Sequence, residues 1–185
     1  MSNSIDVERQ KALIVSAEMG YGHMRAAKPL ADALGGKMLL ADRHPLCTPR
    51  DGRVWSAVRL GHELSSRGSS LPVVGDLFRK ALDAVTMIPP LHPYRDLASP
   101  TLGTRALDSL IEGGFCQGLV DLLEITGAPL ITTFYAPALV AARAGHRAFC
   151  VVTDADVNRI WVPREPGDRR ITYLAPSQRV VRRLR

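Results

Sequence analysis

Apolar runs bounded by turn residues recur along this chain. Residues 11–17, KALIVSA, form a short and nearly unbroken apolar run, the pattern of a strand buried within a parallel sheet. Residues 23–34, HMRAAKPLADAL, follow as a helix that Gly35 and Gly36 bring to a stop. Pro29 falls within that helix and has to sit in its first turns or kink it. Residues 37–42, KMLLAD, read as a second strand and complete a strand–helix–strand unit.

The middle of the chain is helical in pattern. Residues 51–68 read as one helix. Residues 73–88 read as another, with Val74, Leu77, Phe78, Ala81, Leu82, Val85 and Ile88 at the spacing of a single helix face. Residues 89–100 are loop, and residues 103–126 are one or two helices with a break at Gly113-Gly114. Strands are then expected at 128–134, 147–154 and 169–176, with a short helix at 136–145 between the first two. Strands alternating with helices predict an α/β fold, a Rossmann-like parallel sheet with helices on both faces. A length of 185 residues suits one such domain.

Composition sets broad bounds. The chain is 46% hydrophobic and 23% charged, ordinary for a soluble globular protein. No apolar stretch reaches the length of a membrane span. The opening MSNSIDVERQ has no apolar core of a secretory signal, so a cytoplasmic location is expected. Cys47, Cys116 and Cys150 are odd in number and form no CxxC pair, so reduced, buried thiols are expected rather than a disulfide or a zinc site. No metal site is expected.

Charge is uneven. Residues 158–185 hold eight arginines against Glu165 and Asp168 and so carry the entire net +6. Such an end is either a solvated helix face or a surface for an anionic partner. Nucleic acid is not expected, because aromatics make up 5% of the chain and none interleave these arginines.

The stretch SAEMGYGHMRAA, residues 16–27, carries the candidate chemistry. A glycine-rich turn between a strand and a helix lets backbone approach a ligand closely, and the helix start behind it offers unpaired N–H groups to a phosphate. Gly20 and Gly22 begin a G-x-G, but Arg25 stands where a dinucleotide fingerprint needs glycine, and no Walker A loop is present. Asp42, after the second strand, stands about where such a fold places its ribose-binding acid, so an NAD(P)-binding oxidoreductase is a lesser reading. His23 falls in the first helical turn, where the dipole disfavours an imidazolium. A neutral imidazole beside an anion cradle can take a proton from an attacking hydroxyl; alternatively, His23 caps or packs the turn.

At this point the chain resembles a known family. GYGHMRAA is similar to the G-x-G-H-x-x-A-A loop of glycolipid glycosyltransferases. These are the processive diacylglycerol glucosyltransferases and monogalactosyldiacylglycerol synthases, related to the transferase of peptidoglycan lipid II synthesis. VVTDADVNRIWV, 151–162, resembles that family's valine-threonine-aspartate stretch running on to a tryptophan, and ITYLAPSQRVVRRL, 171–184, resembles the strand and helix that close its first domain. The resemblance implies the N-terminal, acceptor-binding half of a GT-B fold. It places Gly20, Tyr21, Gly22 and Asn158 at the acceptor or phosphate site. It makes His23 the base for a lipid-like acceptor hydroxyl that attacks the anomeric carbon of a UDP-hexose, without a metal. Asp154 would orient His23, bind acceptor hydroxyls or cap a turn, and Trp161 would pack over an acceptor or within the core. Many relatives carry histidine where this chain has Asn158, and Tyr21 replaces a small residue. The donor nucleotide sugar would be bound mainly by a second domain that lies outside this chain, in a longer polypeptide or a separate subunit, so this chain alone is expected to turn over little. Arg79 and Lys80 beside the apolar face of 73–88 fit either a peripheral membrane contact or a helix packed on its own sheet. A competing expectation is a non-catalytic Rossmann-like ligand-binding protein.

Overall fold

A computed structural model describes residues 11–68, 99–165 and 167–185. The helix expected at 73–88 and most of the loop at 89–100 lie outside the described residues. The described chain runs β1 (Leu13–Ser16), α1 (Tyr21–Leu34), β2 (Met38–Leu40), α2 (Pro49–Gly68), α3 (Leu102–Glu112), α4 (Gln117–Thr126), β3 (Leu130–Thr132), α5 (Tyr135–Arg143), β4 (Ala148–Val151), a 3-10 turn (Arg159–Trp161), β5 (Ile171–Leu174) and α6 (Gln178–Leu184). The five strands form one sheet in the order β2-β1-β3-β4-β5, and every pair is parallel. The alternation of strand and helix in the sequence therefore produces the α/β, Rossmann-like sheet it predicts.

Strand periodicity divides the core between two faces. Leu13 and Val15 point into the larger cluster, built with Leu119 and Leu123 of α4, Leu139 and Val140 of α5, Trp55 of α2 and Leu107 of α3. Ala12 and Ile14 point the other way, onto Ala27 and Ala31 of α1. Helices thus cover both faces. The register Ile14–Ile131–Phe149–Thr172 runs across the face of α1. Beyond α1 that face is less covered among the described residues, with Phe149 and Leu174 exposed.

Strands are shorter than the apolar runs that mark them. β3 stops at Thr132, because the Thr132 hydroxyl accepts from Phe134 N and donates to its carbonyl, turning the chain out of the sheet. β4 stops at Val151, so Asp154 stands in the loop beyond it. Pro29 does not sit in the first turns of α1; the helix continues through it. Pro29 is exposed and so is Arg25, whose carbonyl loses its helical partner to the missing N–H, and water can satisfy it there. Gly35, at φ 68°, closes the helix as the sequence predicts.

Buried carboxylates join the connections. Thr48 and Asp51 exchange bonds at the start of α2: Asp51 N donates to the Thr48 hydroxyl at 3.2 Å and Thr48 N to the Asp51 carboxylate at 3.1 Å. The other Asp51 oxygen accepts from the Cys116 N–H at 3.3 Å, ahead of α4. Gly118 brings α4 against the connection at 45–46; a Cβ there would lie 2.9 Å from the Leu46 carbonyl oxygen and 3.1 Å from that of Pro45.

The basic end turns partly inward. Ser177 caps α6, accepting from Val180 N. Arg179 Nε and Arg183 Nε both donate to Asp156, at 2.7 and 2.9 Å, and the Arg183 side chain is 3% exposed. Arg159 donates to the carbonyls of Val162 and Arg164. Burial pushes the Asp156 carboxyl up, but the bonds from Arg183 and Arg179 outweigh it and hold it below its ordinary value.

Two outcomes follow. Gly118→Ala should destabilise by about 1–3 kcal/mol in a denaturant titration, because the Pro45 and Leu46 backbone leaves no room for the methyl. Asp156→Asn should cost about 1–3 kcal/mol at neutral pH by leaving Arg183 buried against a neutral partner. A carboxyl lowered in the folded state stabilises fully above its unfolded pKa of about 4, and that contribution is lost as pH falls through the folded value. The acid-induced decline should therefore be shallower in Asp156→Asn than in the parent.

Candidate functional site

The strand order reverses between β1 and β3: the chain leaves β1 for β2 on one side, then crosses to β3 on the other. Segments after the carboxyl ends of these two strands meet where such sheets usually place a ligand crevice. Met19 and Gly20 lead from β1 into the first turn of α1, which holds Tyr21, Gly22 and His23, and Thr133-Phe134 follow β3.

Hydrogen bonds lock these loops together. The Thr133 hydroxyl donates to the His23 carbonyl at 3.0 Å, so it is Ser16 Oγ that donates to Thr133 Oγ1 at 2.9 Å. Ser16 and Thr133 are fully buried. In return, His23 Nδ1 lies 2.7 Å from the Thr133 carbonyl oxygen and 2.9 Å from Thr153 Oγ1. A carbonyl can only accept, so this bond assigns the proton to Nδ1, with Thr153 Oγ1 as a second acceptor. In the neutral imidazole, Nε2 then keeps its lone pair. The buried, unpartnered polar atoms among the described residues are Trp55 Nε1, Arg59 Nε and one Arg183 nitrogen. His23 as a whole is 8% exposed, and its Nε2 makes no hydrogen bond to a described residue.

The glycines before His23 differ in what they do. Gly20, at φ 112° and ψ 156°, holds a conformation that side chains avoid, and it precedes α1 without a side-chain cap. Gly22 has an ordinary φ, and a Cβ on it would meet nothing within 4 Å. The fold does not require glycine at 22; the missing side chain leaves backbone open to a ligand. Tyr21 is 81% exposed between them. No acidic residue lies in the first turn of α1, so nothing there offsets the positive end of the helix for an anion.

An aromatic row runs from His23 into the core. Phe134 meets His23 edge-on at 5.0 Å, Tyr135 follows at 4.4 Å from Phe134, and Trp161 at 5.3 Å from Tyr135. Trp161 is buried in the main core, and its carbonyl accepts from the Tyr173 hydroxyl at 2.6 Å, so its role is packing. Burial, with the charge of Asp154 adding to it, pushes Tyr135 up to about 12, so its hydroxyl stays protonated at physiological pH.

Asp154 is exposed in the loop after β4. The hydrogen bonds that orient His23 run to Thr133 and Thr153. Asn158 Oδ1 caps the 3-10 turn, accepting from Ile160 N at 3.3 Å. Asp42 is engaged inside the fold. Its side chain is wholly buried, accepts from Glu18 N at 3.1 Å, and pairs with Arg59 at 2.6 Å. That carboxylate is not available to a ribose. Glu18 in turn pairs with Arg43, whose hydrogen bond and charge lower its carboxyl. Thr133 was not recognisable as a site residue from the sequence beyond its position at the end of an apolar strand run; Thr153 is the threonine of the valine-threonine-aspartate stretch, but attention there fell on Asp154. Cys47, Cys116 and Cys150 are free thiols, and burial pushes Cys150 up to about 12. Among the described residues, no cluster of three His, Cys, Asp or Glu could hold a metal, and no helix is long and apolar enough to cross a membrane.

Fold and crevice together define a Rossmann-like α/β domain with a histidine-bearing glycine loop at its switch point. Comparison with protein-family models, curated proteins and solved structures finds no match to the chain.

The two glycines separate fold from function. Gly20→Ala should cost about 1–3 kcal/mol through backbone strain. Gly22→Ala should leave thermal stability equal or higher by up to about 1 kcal/mol, since alanine is the better helix former. Any ligand-dependent rise in melting temperature should nevertheless shrink in Gly22→Ala.

Proposed function

We propose that this chain is the acceptor-binding half of a glycosyltransferase that moves a hexose from a nucleotide sugar to the hydroxyl of a lipid-like acceptor. One observation carries the reading: His23 is held through Nδ1, so Nε2 presents its lone pair at the carboxyl edge of the sheet, beside an open glycine loop. The acceptor hydroxyl gives its proton to Nε2 as its oxygen bonds to the anomeric carbon, and the bond from that carbon to the diphosphate oxygen breaks, releasing UDP with the electron pair. The resulting imidazolium keeps its Nδ1–H on the Thr133 carbonyl and the Thr153 hydroxyl, both able to accept from it. Gly20, Tyr21, Gly22 and the start of α1 receive the acceptor or its phosphate, and Asp154 and Tyr135 face its polar groups. The UDP-hexose is held mainly by a second domain or separate donor-binding subunit. The protein works in the cytoplasm, touching the membrane peripherally where its acceptor resides.

A second reading is a non-catalytic Rossmann-like ligand-binding protein. Asn158 favours it: this side chain replaces the relatives' histidine and caps a turn.

The test uses the full-length gene product with labelled UDP-hexoses and lipid extract. Transfer is expected, and His23→Ala should lower kcat by about 100- to 10,000-fold while the KM for donor changes little. Unchanged transfer in His23→Ala, with an unchanged melting curve, would remove the base role. Donor binding by calorimetry without transfer would establish the non-catalytic reading.

A further inference from the structure

A concavity of 670 Å³ opens away from His23. Arg147 immediately precedes β4 and Arg170 immediately precedes β5, so it lies at the amino edge of the sheet. His23 and Thr133 follow the carboxyl ends of β1 and β3, at the opposite edge. The floor is apolar: Leu107 and Ile111 of α3, Leu139 of α5, and Ile160 of the 3-10 turn.

The lining holds five arginines and three carboxylates. Asp108, 13% exposed, is shared: Arg164 lies 3.1 Å from it and Arg143 3.9 Å. Arg170 pairs with Asp168 at 3.2 Å. Arg147 and Arg169 form no ion pair with a described residue. Arg143 also pairs with Glu112, at 2.7 Å, so the five arginines stand against four carboxylates and a surplus of positive charge remains over the apolar floor, in a volume suited to a small molecule. Guanidinium forks match the oxygens of a phosphate or carboxylate, and the floor matches an apolar body. A purely ionic surface for an acidic macromolecule would not need that floor.

We propose that this concavity is a second ligand site, for a small amphiphilic oxyanion whose anionic group meets Arg147 and Arg169 and whose apolar body lies over Leu107, Leu139 and Ile160. It is independent of the chemistry at His23.

The test is calorimetric titration of the full-length protein with 1-naphthyl phosphate, beside inorganic phosphate. Naphthyl phosphate should saturate one site that Arg147→Ala/Arg169→Ala weakens about tenfold or more. Both arginines are exposed, so the double variant should keep the parent's circular dichroism. Arg53→Ala, which removes an exposed charge outside the pocket, and His23→Ala should bind as the parent does. Inorganic phosphate should bind more weakly. Absence of saturable binding, equal affinity for inorganic phosphate, equal weakening by Arg53→Ala, or loss in His23→Ala would each overturn the proposal.

Discussion

Two hydrogen bonds exchanged between His23 and Thr133 tie the first turn of α1 to the end of β3. They join the two loops on either side of the point where the strand order reverses. With Ser16 behind Thr133, the exchange is buried, and a buried unpaired polar group costs about 1–3 kcal/mol. The same contact sets chemistry. A carbonyl facing Nδ1 decides which ring nitrogen carries the proton and leaves the other as a base. The same exchange joins the two segments and orients the histidine.

Around that contact, the sheet carries unequal layers. Ala27 and Ala31 let α1 lie close on Ile14, while the opposite face is filled by larger side chains from α2, α3, α4 and α5. Charge is arranged with similar economy. Asp42, Asp51 and Asp156 each draw two connections together, and each is satisfied by N–H donors or arginines, as buried carboxylates must be. The positive end of the chain is consequently less of an outward patch than its composition suggests. Arg183 is folded onto Asp156, and Arg159 is bound to backbone carbonyls.

Much of the architecture was legible because it rests on local rules. Apolar runs marked β1, β2, β3, β4 and β5, and glycines marked the end of α1 and the break between α3 and α4. Strand ends were less legible: an apolar pattern continues past the last ladder bond, and Thr132 turns the chain with its own hydroxyl. Pro29 lies inside α1, beyond its first turns, where a missing bond on an exposed helix face is cheaply satisfied by water.

The sequence by itself determined the fold class and drew attention to Gly20, Gly22 and His23, since glycine freedom and a helix start are properties of neighbouring residues. Only the tertiary structure decided which atoms those residues meet. Thr133 and Thr153 lie 110 and 130 positions from His23, and nothing local pairs them. Parallel strands bring their carboxyl ends to one edge whatever their separation in sequence, and that edge alone selects Thr153 over Asp154 as the partner of the imidazole. Asp42 and Asp156 were settled in the same way: a carboxylate's role depends on which distant donors the fold delivers to it.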